Sequence, residues 1–218
     1  MKRILITLAS LLLAGAAQAQ FGIRVGGNVA TLSTKTDSEF FRADAKGRTG
    51  YQMGVFYEQK FTDRLSLVPE VQFSRQAINL KAEEFGIADG GYDADYLLRL
   101  SYLNVPVLVR ATFGRFYVEA GPQLGVLQSA HEKGGITYGT FTGTRQEHFD
   151  RLATDSYRRI DFDLSAGVGA KLPAGFGISI RGYTGLLSLT HVPQFTRYSG
   201  DLKNRVVQAS LTYQLASQ

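Results

Sequence analysis

The stretch that decides the fold is LNVPVLVRATFGRFYVEAGPQLGV, Leu103 to Val126. In its first half Leu103, Val105, Val107 and Val109 fall on one parity, opposite Asn104 and Arg110. In its second half Phe116, Val118, Ala120, Leu124 and Val126 fall on one parity, opposite Tyr117, Glu119, Gly121, Gln123 and Gly125. Side chains that alternate with a period of two belong to a strand with two unlike faces. Between the halves, Thr112 to Arg115 contains Gly114, a residue type that closes hairpins. The stretch therefore predicts two antiparallel strands joined by a tight turn.

Working outward, the same alternation recurs six more times. Ile23, Val25 and Val29 oppose Arg24 and Asn28; Tyr51, Met53, Val55 and Tyr57 oppose Gln52, Gly54 and Glu58. Leu65, Leu67, Val71 and Phe73 oppose Ser66, Glu70, Gln72 and Ser74, and Ile160, Phe162, Leu164, Ala166 and Val168 oppose Asp161, Asp163, Ser165 and Lys171. Ile178 and Ile180 oppose Ser179, Arg181 and Tyr183, and Val207, Ala209, Leu211 and Tyr213 oppose Gln208, Ser210, Thr212 and Gln214. Eight strands result. Their connections alternate in length: short at Thr62-Asp63-Arg64, Thr112–Arg115 and Pro173-Ala174-Gly175, long over about 33–48, 81–96, 130–159 and 188–203, against a usual connection of about 4–6 residues. Short turns at one rim and long loops at the other are the signature of an all-β, eight-stranded antiparallel up-and-down transmembrane barrel, with periplasmic turns and extracellular loops.

Composition agrees. The 218 residues carry 24 glycines, 25 Phe and Tyr together, five prolines and no cysteine, which excludes a disulfide framework and a thiolate metal site. Met1 to Ala19 has the layout of a secretory signal: Lys2 and Arg3, an apolar run from Ile4 to about Ala14, then Ala17-Gln18-Ala19. The expected cleavage lies between Ala19 and Gln20, leaving residues 20–218 as one barrel domain. The apolar run is too short for a membrane helix, which needs about 20 residues. Loss of Lys2 and Arg3 removes two of the five excess positive charges, and no basic run remains to argue for nucleic acid.

Alternation alone does not choose lipid over water. A soluble lipid-carrying barrel would turn the apolar face inward and leave Arg24, Glu58, Glu70, Arg110, Glu119, Asp161, Asp163, Lys171 and Arg181 in solvent. A membrane barrel encloses these nine groups as a lumenal charge network, and five acids against four bases allow the mutual pairing that burial demands. Aromatic residues near strand ends (Phe21, Tyr51, Phe61, Phe113, Phe116, Phe176, Tyr213) and small residues on the inner face (Gly26, Gly54, Gly121, Gly125, Gly167, Gly169, Gly185) favour lipid outside.

Several blocks resemble the PorT-like outer-membrane β-barrel domain family, whose shape is that of small barrels such as OmpX and OmpA. They are Phe21–Asn28 (FGIRVGGN), Leu67–Ser74 (LVPEVQFS), Tyr102–Val109 (YLNVPVLV), Phe116–Pro122 (FYVEAGP) and Ala166–Ala170 (AGVGA), in order along the chain. The resemblance implies a fold and an outer-membrane address, and it carries no catalytic residue. It also implies contact with outer-membrane lipid and lipopolysaccharide, with the insertion machinery during assembly, and a role as an accessory to protein secretion. Such barrels usually finish on an aromatic residue, whereas this chain reads LTYQLASQ from Leu211, so Tyr213 is the candidate assembly signal.

Candidate chemistry is sparse. Ser129, His131 and Glu132 offer a nucleophile, base and orienting acid in one long loop, a trio that any polar loop yields by chance. Glu83, Glu84, Asp89, Asp93 and Asp95 against Lys81 make an acidic loop without the ordered spacing of a calcium-binding loop. The lumenal charges read either as a conducting path or as a salt-bridged plug. The expectation is a monomeric, non-enzymatic barrel without cofactor or metal, whose lumen is filled and whose role is either mechanical support of the outer membrane or binding of an extracellular ligand at the outer loops.

Overall fold

The computed structural model describes residues 20–33, 41–84, 92–140, 143–189 and 202–215. Nine strands follow one another: β1 (Gln20–Ser33), β2 (Phe41–Lys60), β3 (Leu65–Glu84), β4 (Tyr92–Phe113), β5 (Phe116–Thr140), β6 (Gly143–Leu152), β7 (Ile160–Lys171), β8 (Phe176–Gly185) and β9 (Lys203–Gln214). Every pairing is antiparallel, and the sheet runs β4-β3-β2-β1-β9-β8-β7-β5-β6 with an added β4–β5 pairing. That pairing closes eight strands into a ring. The β1–β9 seam joins the two ends of the barrel from Gly22↔Gln214 to Ser33↔Lys203.

The ninth strand was not expected. Residues 130–159 read as one long loop, yet β5 continues past the barrel and β6 folds back on it from His131↔Leu152 to Thr140↔Gly143. Two of the other long connections shrink likewise, because β2 begins at Phe41, β3 ends at Glu84 and β4 begins at Tyr92, whereas the one between Gly185 and Lys203 keeps its expected length. Crossing lipid takes about 9–11 residues of tilted strand. The 20 to 25 residues of β2, β3, β4 and β5 therefore stand well beyond it. Since the opposite rim is held by tight turns, with Gly114 in the left-handed region at φ 63°, all of the excess projects on one side.

Within the lipid-crossing segments the exposure follows the sequence pattern. Val107, Val109, Val118, Ile178 and Ile180 are exposed, whereas Arg24, Glu70, Arg110, Glu119 and Arg181 are buried. A soluble carrier with an apolar interior is thereby excluded. The short-turn rim carries outward aromatics, including the ring pairs Phe21–Tyr57 and Phe176–Tyr213 at 5.1 and 5.0 Å between centroids. Tyr51 and Phe73 form a further ring pair higher on the wall. Residues 1–19, and with them Ala19 of the expected cleavage point, lie outside the described residues, and Gln20 opens β1.

Candidate functional site: a lumen in three layers

The interior is built by strand alternation, and its chemistry changes with height. Nearest the short-turn rim lies a cluster of ions. Arg24 comes from β1, Glu58 from β2, Glu70 from β3, Arg110 from β4, Glu119 from β5, Lys171 from the end of β7 and Arg181 from β8. Glu119 is the hub: one oxygen accepts from Arg110 Nη2 at 2.8 Å and Nε at 3.0 Å, the other from Arg181 Nη2 at 2.7 Å and Nε at 3.1 Å. Glu70 bridges Arg24 Nε and Arg181 Nη1, both at 3.1 Å. Glu58 accepts from Arg110 Nη1 at 2.9 Å and from Lys171 Nζ, Ser66 and Gln214, each at 3.1 Å. Arg24 donates its Nη1 to Ser179 Oγ at 2.6 Å, and its Nη2 lies 3.9 Å from Glu119 Oε1. Two-pronged guanidinium–carboxylate contacts of this kind fix orientation as well as charge.

Aromatic rings pack against this cluster. The Arg110 guanidinium lies 4.1 Å from the Tyr117 ring centroid and 6.0 Å from that of Phe56, and Arg24 lies 5.9 Å from the latter. These rings find room because Gly22 and Gly169 face them; a Cβ at either glycine would occupy the ring itself. The glycines recurring on the inner face thus serve packing as much as they thin the wall.

The nine charges expected to form one network are divided. Seven meet as described, four cations against three carboxylates. Asp161 and Asp163 sit higher, in a second layer of uncharged polar side chains that includes Gln52, Gln72, Gln76, Asn104, Gln123 and Gln208, all buried. Links here are amide and hydroxyl contacts: Asn28 to Gln52 at 3.0 Å, Asn104 to Ser74 at 3.0 Å, Gln76 to Tyr183 at 2.8 Å and Asn204 to Gln76 at 3.0 Å. Among the described residues neither aspartate has an ion-pair partner.

The third layer was missed in the sequence. Ala30, Leu32, Ile78, Leu80, Leu98, Leu100, Leu127, Ala130 and Val206 face inward beyond the polar layer, joined by Ala153, Tyr157 and Leu189 from segments read as loops. Its outer edge carries Glu132, buried, which accepts from Tyr157 Oη at 2.7 Å and Arg151 Nε at 3.0 Å. Burial raises the Tyr157 phenol well above its usual range, so it stays a donor. A signal was available: in Leu97-Leu98-Arg99-Leu100 apolar residues occupy both parities, which a strand with one lumenal polar face does not show.

The remaining candidates do not assemble. Ser129 and His131 share a face of β5, while Glu132 points the opposite way into the cap; His131 Nε2 instead contacts Asp150 on β6. In the acidic region Lys81 and Asp95 pair at 2.9 Å across β3 and β4, raising the Lys81 ammonium through the hydrogen bond to Asp95. Glu83 stands opposite Asp93 in register, Glu84 ends β3, and Asp89 lies outside the described residues. No group of three or more potential metal-binding side chains occurs among the described residues.

A closed antiparallel ring with an apolar belt outside and ionised groups inside defines an integral outer-membrane barrel. The sequence profile of the outer membrane protein beta-barrel domain family matches residues 15–191, and the chain belongs to that family. Among solved structures it is similar to Neisserial surface protein A (9% identity, TM-score 0.48, 90% of this chain and 99% of that one). It is similar also to Ail of Yersinia pestis (14%, 0.44, 90% and 99%) and to OprG of Pseudomonas aeruginosa (13%, 0.45, 90% and 96%). No curated protein matches the chain in sequence.

Proposed function

We propose that the protein is a closed, non-catalytic outer-membrane barrel that works as a rigid pedestal, presenting the β5–β6 extension and its neighbouring strand ends to an extracellular ligand. The observation that carries this reading is the double obstruction of the lumen. The ion cluster fills the short-turn half with fully buried guanidinium groups, and the apolar cap fills the other end. Paired ions of this density leave no mobile charge for conduction, and an apolar constriction opposes a water column. By contrast β6 is exposed along almost its whole length and carries Arg145, Glu147, His148, Asp150 and Arg151. Such polar, mixed-charge surface costs nothing to keep in water and offers a varied set of contacts.

The outward-facing Arg75 and Arg205 lie just above the apolar belt, where they suit the phosphates of lipopolysaccharide, and Tyr213 at the end of β9 suits a terminal signal for the insertion machinery. Planar-bilayer recording tests the pedestal. The expected result is no steady conductance in the nanosiemens range; stable openings of that size would overturn the reading. An accessory role in secretion predicts a secretion defect in a deletion strain, which the pedestal does not.

A further inference from the structure

From the polar layer between the ion cluster and the apolar cap, we infer that Asp161 and Asp163 form an internal binding site for a hard divalent cation such as calcium. Both come from the inward face of β7 and are 5% and 3% exposed. Asp163 Oδ2 accepts from Gln123 Nε2 at 2.9 Å, and the Asp161 carboxyl takes the backbone amides of Phe162 and Leu187. The second oxygen of each, Oδ1, has no partner. Around them Gln123 Oε1, Tyr102 Oη and Ser165 Oγ are also buried and without a partner.

Two glycines make room for the carboxylates themselves. Gly125 stands opposite Asp161 in register and Gly185 opposite Asp163. A Cβ on Gly185 would lie 2.8 Å from Asp161 Oδ2, and one on Gly125 would lie 3.2 Å from Asn104 Oδ1 and 3.6 Å from Asp163 Oδ2. The oxygens of Asp161, Asp163 and Asn104 thus crowd the positions that side chains at these two glycines would take.

No cation lies within ion-pair distance of either aspartate among the described residues. Arg24, Arg110 and Arg181 are committed to glutamates, and Arg158, whose charge attracts Asp161 from beyond that distance, is hydrogen-bonded to the Ser188 carbonyl at 3.1 Å. Buried charge persists in proteins when it is paired or when it ligates a metal. Two carboxylates, amide and hydroxyl oxygens and no nitrogen or sulfur donor make a hard-ion environment, in which waters complete the six to eight ligands typical of calcium. This site is separate from the pedestal surface, and either can fail without the other.

The test refolds the full chain into detergent micelles free of lipopolysaccharide, either in EDTA or with calcium present from the start because the obstructed lumen gives the ion no path once the barrel has closed, and calcium alone is the probe. Calcium should raise the melting temperature saturably, by roughly 5–10 °C at a hundredfold excess over the dissociation constant. Asp161→Asn and Asp163→Asn should lose that shift yet keep the difference in gel migration between boiled and unboiled samples that marks a folded barrel. In EDTA they should melt no lower than the parent, since the amide removes an uncompensated charge. A variant of the outer acidic region, E83Q/D93N/D95N, should keep the shift. The inference falls if the parent shows no calcium shift, if D161N/D163N retains it, or if the outer variant abolishes it.

Discussion

Glu119 holds two guanidinium groups with its two oxygens, and its removal leaves the cluster's four cations with only Glu58 and Glu70. Breaking a buried ion pair by deleting one partner costs about 3–5 kcal/mol, because the orphaned charge stays buried. Glu119→Gln is expected to destabilise the folded barrel by that amount in urea unfolding from lipopolysaccharide-free micelles. Lys171 reaches Glu58 from a side chain 32% exposed, and water screens much of that pair. Lys171→Met should change stability by less than about 1 kcal/mol. At this scale the sequence showed which side chains face inward, since period two decides that alone. It did not show who pairs with whom: Glu119 and Arg181 are 62 residues apart, and their meeting depends on barrel closure and strand stagger. For the same reason Asp161 and Asp163 were grouped with cations that lie at another height.

The β5–β6 hairpin illustrates what an element can hide. Beyond lipid, the two faces of a strand meet the same solvent, so hydrophobic alternation has no cause and the segment reads as a loop. What holds it is the backbone ladder and a few side-chain contacts, among them Asp150 with Lys133 at 2.9 Å and with His131. Hydrogen bonds from Lys133 and then His131 hold the Asp150 carboxyl below its usual range. A group whose folded pKa is lowered contributes stability above its unfolded value and loses it as pH falls through the folded one. Amide exchange across Gly143–Leu152 should therefore quicken as pH drops from about 6 to about 3, after correction for intrinsic exchange rates. Asp150→Asn should flatten that dependence, and an unchanged profile in the variant would show that Asp150 does not contribute. The acidic segment between β3 and β4 behaves alike: Lys81 and Asp95 became a cross-strand pair, a geometry that spacing within a presumed loop could not reveal.

For the whole molecule, the fold was legible because the bilayer imposes one rule on every crossing segment. Each strand must present apolar side chains outward and satisfy its backbone through neighbours, and closure leaves no unpaired edge in lipid. Eight repeats of one pattern, with turns alternating in length, sufficed. The apolar cap escaped that reading since the rule stops at the lipid boundary, and Leu98, Leu100 and Ile78 face the interior above it. Ile180, 59% exposed on β8, lies within the apolar belt. Ile180→Arg there should cost about 2–4 kcal/mol in unfolding from phospholipid vesicles, the penalty of a cation on the lipid face near the midplane.

The seam between β1 and β9 sets the order of biogenesis. Their ladder links Gly22 with Gln214, so the cylinder cannot be sealed until the last strand has been delivered. Until then β1 and β9 each expose a raw row of donors and acceptors, a template for stray pairing with other nascent chains. Contacts this distant along the polypeptide also form slowly. A chain truncated before Lys203 would therefore lack the strand that seals the cylinder, and would remain an open, sticky sheet for chaperones and proteases to clear.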